Sequence, residues 1–365
     1  MYDGKTIGAV IPAYNEEGFV GDVIETLPPF VDRAYVVDDG STDGTWAEIL
    51  EHARAVNDRT RDREAPFDRR VLPVKHASNA GVGAAIKTGY RRALADGVDV
   101  TAVIAGDGQT QPDIVERIVA PVATGEAGYA KGNRLLGADR SRMPRHRQVG
   151  NGILSLLTKI ASGYWRVLDP QNGSTAISHE ALAAIDIDAI YEGYGYCNDI
   201  LVRCNVHGIR VADVQRRAVY EDETSHISYR TYIPLVSSLL LRDFLWRLGR
   251  RYVVDDTHPL AGLYLLGAAT TGGSLGAALA DRLREPERRR GNAPVLFVLG
   301  TACLLSAMAA DRAENRDLDV IVRRADHEPP ETVEPDEDRT KGNGAAVEAG
   351  SDGAMTDGEP VSPSE

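Results

Sequence analysis

Asp38-Asp39-Gly40-Ser41-Thr42-Asp43-Gly44-Thr45 lies between a β-branched apolar run, Ala34–Val37, and a helical pattern, Gly44–Val56. Glycine and short polar side chains make a tight turn into a helix start. Amide NH groups exposed at such a start face an anion, and a carboxylate there accepts hydrogen bonds from a base edge. In isolation the string reads equally well as a capped turn, so its setting decides. Pro12-Ala13-Tyr14-Asn15-Glu16 follows an earlier apolar run, Ile7–Ile11. A segment from His76 to Gly89, containing Asn79, Gly81, Gly83 and Lys87, follows a third run, Val71–Val74. Ala105-Gly106-Asp107-Gly108-Gln109 closes a fourth, Val100–Ala105. Glu17–Leu27, Gly81–Ala95 and Pro112–Thr124 carry helical patterns between them. The alternation predicts an α/β fold, a mostly parallel sheet with helices on both faces. Ligands on such sheets bind beyond the C-terminal strand ends, where all four polar segments fall. Asn57–Arg70, a charged interruption, reads as a solvated loop.

Further along, the pattern changes. Pro259–Ala280 and Gly291–Ala310 contain no charged residue. At about 1.5 Å per residue each is long enough to cross a hydrocarbon core of roughly 30 Å. Both are expected to form a transmembrane hairpin, with buried or interfacial helices as the competing reading. The linker Asp281–Asn292 carries Arg282, Arg284, Arg288, Arg289 and Arg290. The positive-inside rule places such a loop in the cytoplasm. The preceding flank carries Arg242, Arg247, Arg250 and Arg251, so charge alone leaves the orientation open. Tyr232–Val254 sets Leu235, Leu239, Leu240, Phe244 and Leu248 against arginines and Trp246. It reads as an interfacial helix or an ordinary amphipathic helix packed on the domain. The expected domains are 1–230, 231–256, 257–312 and an acidic, disordered tail over 313–365.

The 365 residues are 43% hydrophobic and 26% charged, which excludes collagen-like and wholly disordered chains. The net charge of −13 is concentrated in Ala325–Glu365, where 12 acids face Arg339 and Lys341. The remainder is nearly neutral and has no basic stripe with interleaved aromatics, so no nucleic-acid partner is expected. Arginine supplies 35 of the 41 basic residues, a bias that suits a high-salt proteome or GC-rich codons. Cys197, Cys204 and Cys303 form neither a disulfide framework nor a cysteine-built zinc site, and a reducing compartment is the default. No signal peptide is read over Met1–Tyr14.

In order, PxYNE, DDGSxDGT, the HxxNxGxGxA segment and GDGQ resemble glycosyltransferase family 2 over about Lys5–Arg230, and within it the polyprenyl- or dolichyl-phosphate sugar synthases. The resemblance implies a GT-A fold, Rossmann-like, and an inverting transfer of a hexose or N-acetylhexosamine. The implied donor is a nucleotide sugar, UDP ahead of GDP, and the implied acceptor is dolichyl phosphate, feeding protein N-glycosylation. It implies Pro12, Tyr14, Glu16, Asp38 and Asp39 as nucleotide contacts. Asp107 and Gln109 are implied as ligands of Mg²⁺ or Mn²⁺, although Ala105 stands where the family's DxD has its first acid. Gly132-Asn133-Arg134 resembles the family's GSR segment, with its arginine near phosphate, and Arg145 and Arg147 approach the implied lipid-phosphate region. Asp169–Gly173 and Gly195–Asp199 fit acceptor-side loops, with Asp199 a catalytic candidate that orients the acceptor. Glu221–Arg230 resembles the segment closing over the donor.

A phosphate monoester acceptor is largely dianionic at neutral pH, so it needs little general-base help. Two alternatives stay open. In one a sugar hydroxyl on a lipid-linked glycan or exopolysaccharide is the acceptor and Asp199 is an essential base. In the other the domain is a non-catalytic membrane scaffold. A cytoplasmic supply of nucleotide sugar implies a multi-pass membrane protein with its catalytic domain in the cytoplasm. The sequence leaves the oligomeric state undetermined.

Overall fold

Strand β1, Ile7–Ala13, buries side chains on both of its faces. Side chains alternate along a strand, so Ile7, Ala9 and Ile11 enter one core while Val10 enters another. The first core joins β1 to α1 (Val20–Glu25), α2 (Thr45–Arg59) and α4 (Pro112–Ala123). The second takes Ile86 and Tyr90 from α3 (Val82–Ala95), Leu182 from α6 (His179–Ala184) and Ile200 from α7 (Tyr196–Val206). The computed structural model describes residues 1–61, 65–107, 112–133, 145–215, 229–282 and 292–322.

β1 lies between two parallel neighbours, β2 (Arg33–Asp38) and β4 (Val100–Val103), and β3 (Val71–Lys75) pairs with β2. β5 (Tyr129–Asn133), β6 (Thr175–Ser178) and β7 (Val211–Gln215) continue the sheet beyond β4. Together with β8 (Asp319–Val322) the order is β3-β2-β1-β4-β6-β5-β7-β8. Only β6 runs against its neighbours among the described strands. Chain order reverses at β1, which opens the crevice that a doubly wound sheet offers to ligands. The four runs read as strands and the four read as helices all form, with ends shifted by a few residues. The described residues of Asn57–Arg70, read as a solvated loop, are mostly exposed, but both ends of the stretch are anchored. α2 continues to Arg59, the Asn57 side chain exchanges two hydrogen bonds with the Val71 backbone (2.8 and 2.9 Å), and the Arg70 guanidinium caps the carbonyls of Leu27, Pro28 and Val31.

α5 (Arg145–Ser162) and α8 (Tyr229–Gly249) cover α7, and Ala161, Val202, Val236 and Leu240 fill their junction. The face of α8 expected to meet lipid is mostly turned inward. Leu239, Leu240 and Leu248 are buried, whereas Leu235 is exposed. A different stripe, Ile233, Leu241, Leu245 and Trp246, faces outward, and α5 exposes Ile153 and Leu156 beside it. α8 therefore has two apolar sides, one satisfied by the domain and one left uncovered.

After a π-helical turn, Arg250–Val254, the chain enters α9 (Pro259–Arg282), and α10 (Ala293–Glu314) returns antiparallel to it. Both contain segments long and apolar enough to cross a membrane, each with only 17% of its most apolar window buried. Small residues bring the backbones close: a Cβ on Gly300 would stand 2.6 Å from the Thr271 amide nitrogen. The expected tail over 313–365 begins later than 313. Ala313–Val322 forms the end of α10, a 3₁₀ turn (Arg316–Leu318) and strand β8, which adds to β7 in parallel. Both ends of the hairpin therefore join the α/β domain. Residues 323–365, the arginine-rich 283–291 and 216–228, which holds most of Glu221–Arg230, lie outside the described residues.

A buried ion pair fastens the return helix. The Arg247 guanidinium on α8 meets Asp311 on α10 bidentately at 2.7 and 3.0 Å, both side chains fully buried. Arg247 also donates to the carbonyls of Ala161 and Ile160, and Tyr252 and Asn315 donate to Asp311. Removing one member leaves an uncompensated buried charge, a loss of about 3–5 kcal/mol. Arg247→Met is expected to destabilise the chain by that amount in reversible denaturation. Arg247→Met/Asp311→Leu is expected to recover most of it. An equal loss in both variants would remove the charge-compensation reading.

Candidate active site

Two turns beyond β1 and β2 are stitched together by side chain to backbone bonds. Asn15, at a φ of 55°, accepts from the Thr42 amide at 2.9 Å, while its own amide donates to Ser41 Oγ at 3.0 Å. The Glu16 amide donates to Thr45 Oγ1 at 2.8 Å, and Glu17 accepts from the Gly44 amide at 2.9 Å. Asn15, Ser41 and Thr45 thus each satisfy a backbone amide of the other motif, which explains the joint presence of the two. Gly40 permits the turn: its φ is 76°, and a Cβ would stand 2.6 Å from the Ser78 carbonyl carbon.

The adjacent acids of the DDGS turn separate. Asp38 is fully buried, accepts from the Ser41 amide at 3.0 Å and lies 3.6 Å from Lys75 Nζ. It therefore sits behind the cleft wall, in contrast to the expectation of a nucleotide contact. Asp39 reaches the cleft. Its carboxylate accepts from the amides of Ala80 and Gly81 at 3.0 and 2.8 Å and from His76 Nδ1 at 2.7 Å. A carboxylate only accepts, so Nδ1 carries the proton, and the opposite ring nitrogen bonds Thr88 Oγ1 at 2.9 Å.

α3 starts against a loop from α7's side of the domain. The Gly83 amide donates to the Glu192 carbonyl at 2.7 Å, and a Cβ on Gly83 would meet the Tyr191 carbonyl oxygen at 2.3 Å. Buried Lys87 donates to the Asp188 carbonyl and the Glu192 carboxylate, both at 2.9 Å. The Lys87 ammonium holds the Glu192 carboxyl below the usual glutamate range. This fixes Gly193 and Tyr194 at the cleft mouth, where Tyr194 is 64% exposed. The sequence reading missed Tyr194. Its only signal is a run, Gly193-Tyr194-Gly195-Tyr196, whose second tyrosine is core and whose first is not.

The resulting cleft holds about 470 Å³. Pro12, Tyr14, Glu16, Asp39, Ala105 and Asp107 line it, so residues after β1, β2 and β4 converge. Burial, together with Asp107 and Asp43, pushes Glu16 up to about 7. The cleft end is thus short of positive charge, an environment that suits a divalent cation. Mg²⁺ takes one or two protein carboxylates and completes its shell with phosphate and water, and Asp107 is a carboxylate on the cleft wall. Among the described residues no three ligand-type side chains gather as a ready-made metal cage. Gln109 and Arg134, and the side chains of Arg145 and Arg147, lie outside the described residues; the backbone of the latter two opens α5.

Asp199 is not a cleft-lining residue. It is 1% exposed, accepts from the Tyr191 amide at 2.7 Å and pairs with Arg203 at 3.1 Å. Through the Tyr191 amide it holds the start of the 191–195 loop. The other acceptor-side expectation does come together with this region: Gln171 donates to the Asn198 side chain at 2.9 Å, and Thr158 does so at 3.2 Å.

A family model described as glycosyl transferase family 2 matches residues 9–185. The chain is 30% identical over 220 residues to a UDP-N-acetylglucosamine–dolichyl-phosphate N-acetylglucosaminyltransferase of Methanococcus voltae, covering 60% of this chain and 87% of that protein. It is 32% identical over 223 residues to a polyprenol monophosphomannose synthase of Mycolicibacterium smegmatis, covering 56% and 74%. A crystal structure of glucosyl-3-phosphoglycerate synthase from Mycobacterium tuberculosis, in complex with Mn²⁺, UDP and phosphoglyceric acid, aligns with a TM-score of 0.48 and 23% identity, covering 67% of this chain and 79% of that one.

Glu16 gives the site a pH signature. The folded chain binds its proton more tightly than an unfolded glutamate does, so stability falls as pH rises from about 4.5 toward about 7. Glu16→Gln is expected to raise the melting temperature at pH 8 and to leave it nearly unchanged at pH 4.5. The same shift at both pH values would show that the carboxyl's charge is not the cause.

Proposed function

The chain belongs to glycosyl transferase family 2 and is a glycosyltransferase, and from that premise we propose that it moves a sugar from a nucleotide donor to a polyprenyl phosphate of the dolichyl type. One observation carries the reading: the cleft of Pro12, Tyr14, Glu16, Asp39 and Asp107 belongs to the same folded unit as a hairpin of two uncovered apolar helices. A soluble donor and a membrane-held acceptor meet on such an arrangement. The relatives' acceptors, dolichyl phosphate and a polyprenol, support the lipid phosphate. The first of them supports UDP over GDP and an N-acetylhexosamine among the sugars. A place in supplying lipid-linked sugar to protein N-glycosylation follows from a dolichyl acceptor.

In this reading Pro12, Tyr14 and Asp39 form the nucleoside wall and Asp38 braces it from behind. Glu16 stands beside Asp107, which with Gln109 would hold Mg²⁺ or Mn²⁺. The cation supplies positive charge to the leaving diphosphate when bound. Arg134, Arg145 and Arg147 take the acceptor phosphate, for which a guanidinium is matched in shape and charge. A phosphate oxygen attacks the anomeric carbon opposite the departing diphosphate, so the sugar configuration inverts. The dianion needs no base, and a 1% exposed Asp199 paired to Arg203 fits that requirement better than it fits proton abstraction from a hydroxyl. Asp199 then serves by positioning the loop that carries Tyr194.

Both hairpin ends join the catalytic domain, so in this reading α9 and α10 cross and return. A cytoplasmic domain then puts the arginine-rich turn on the far side, against the usual charge bias. The counterweight is smaller than the sequence suggested, because Arg247 is buried on Asp311 and Arg251 is turned to Asn205.

Membranes containing the chain, given radiolabelled UDP- and GDP-sugars with dolichyl phosphate and Mg²⁺ or Mn²⁺, are expected to move label into the organic phase from one donor. Asp107→Asn is expected to lower that transfer at least about a hundredfold. Asp199→Asn is expected to retain activity within about tenfold of wild type and to unfold at lower temperature. Full activity in Asp107→Asn would remove the assignment of the site. Near-total loss in a folded Asp199→Asn would transfer the reading to a hydroxyl acceptor.

A further inference from the structure

On the sheet's far edge lies a second cavity, of about 280 Å³, where the end of α10 meets the start of β8 and the loop after α5. Arg166, Arg312 and Arg316 line it, with Trp165 and Asp319. We propose that this cavity binds the phosphate group of an anionic membrane lipid whose headgroup carries a hydroxyl.

Its position differs from that of the donor cleft. β8 stands four strands from β4 in the sheet order, roughly 19 Å at about 4.8 Å per strand. Asp319 pairs with Val211 at the beginning of β7, so the cavity opens at the N-terminal strand ends, whereas the donor cleft opens beyond the C-terminal ends. No part of the sugar-transfer reading uses it.

Its chemistry is that of an anion site. Among the described residues neither Arg166 nor Arg312 is matched by a carboxylate in an ion pair, and Arg316 has only a loose, exposed contact of 3.7 Å with Asp317. Three guanidiniums around one cavity carry an excess of positive charge and the planar donor forks that suit phosphate oxygens. Trp165 Nε1 is a buried donor without a hydrogen-bond partner. A phosphate oxygen would reach that donor after a small shift of the side chains that cover it. Asp319 spends one carboxylate oxygen on the amides of Trp165 and Arg166 at 3.0 and 3.3 Å, which fixes the cavity wall to β8. Its other oxygen is a buried acceptor without a partner in the same wall, which a headgroup hydroxyl would reach on a similar shift.

Depth along α10 names the membrane as the source. Leu305 on this helix is 60% exposed, and Arg312 follows seven residues later. At about 1.5 Å per residue the arginine lies about 10 Å beyond Leu305. The polar layer of a bilayer leaflet is roughly 5–8 Å thick, so Arg312 stands at headgroup level when Leu305 lies at least about 3 Å inside the hydrocarbon. Tryptophan and arginine are the side chains that sit at that level.

The proposal rests on the hairpin spanning a membrane, which is checked separately by whether carbonate-washed membranes retain the chain. The test itself uses the full chain in detergent micelles and follows its unfolding midpoint while short-chain phosphatidylglycerol is titrated. A saturable rise is expected with phosphatidylglycerol and none with short-chain phosphatidylcholine or inorganic phosphate over the same range. Arg312→Gln/Arg316→Gln is expected to weaken the titration by about tenfold or more while retaining sugar transfer. Trp165→Phe keeps the ring bulk and is expected to weaken it by about threefold to tenfold. Equal response to both lipids, or a double variant that titrates as wild type, overturns the proposal. Saturation by inorganic phosphate at similar concentration overturns the lipid source. Loss of the chain on carbonate washing overturns the membrane reading instead.

Discussion

Asp39 gathers three donors from one stretch of chain, the His76 ring and the amides of Ala80 and Gly81, onto a single buried carboxylate. Most of the cleft depends on that convergence. It ties the end of β2 to the start of α3, so the helix begins at one height above the sheet. The position of α3 in turn sets where Gly83 meets the Glu192 carbonyl and where Lys87 meets Glu192. These contacts carry Tyr194 to the cleft mouth. A hydrogen bond between a carboxylate and amides in a buried place is among the stronger polar contacts available to a protein, and here it organises two loops distant in sequence. Substituting Asp39 therefore disturbs the whole mouth of the cleft, not only a contact to ligand.

The α/β domain and the hairpin are mutually dependent in a way that resembles one core more than two domains. Leu248, Tyr252, Leu260, Tyr264 and Ala307 form a shared apolar cluster at their junction. The Arg247–Asp311 pair lies at the same place, enclosed by carbonyls and by Tyr252 and Asn315. A buried pair is a weak source of net stability against an apolar replacement, but it fixes which groups meet. Here it sets the register between α8 and α10. Two separate apolar surfaces result on the outside: the hairpin itself, and the α5–α8 stripe of Ile153, Leu156, Leu241 and Leu245.

The first half of the fold was legible because its signals are local. Runs of β-branched residues ending in Gly- and Asp-rich turns report strand, turn and helix in one short window, as in Ile7–Glu16 and Ala34–Thr45. The convergence of Glu16, Asp39 and Asp107 followed from those strand ends. What escaped depends on contacts distant in sequence. Asp38 and Asp39 are adjacent and chemically identical, and only the partners His76, Lys75 and Ser41 decide which one faces the cleft. Asp199 read as an acid that orients the acceptor, and its bonds to Arg203 and the Tyr191 amide depend on the fold. On α8 the sequence shows an apolar face set against arginines but not whether lipid or the domain covers it; α5 and α7 bury most of that face. β8 was missed because four residues, Asp319–Val322, border an acidic tail and gain their meaning only from β7.

That last strand has a consequence for how the molecule is made. β8 is the edge of a sheet whose other seven strands all precede the hairpin in the chain. A ribosome therefore releases β1 to β7 first, then α9 and α10, and only afterwards the four residues that cover β7. Until then the β7 edge offers unpaired amides and carbonyls, the kind of surface on which other chains add. The sheet is completed by a segment that becomes available only after the hairpin has been synthesised. Maturation of the globular part thus waits on the synthesis of its apolar hairpin, and a chain truncated before residue 319 keeps an open edge in a domain that is otherwise fully encoded.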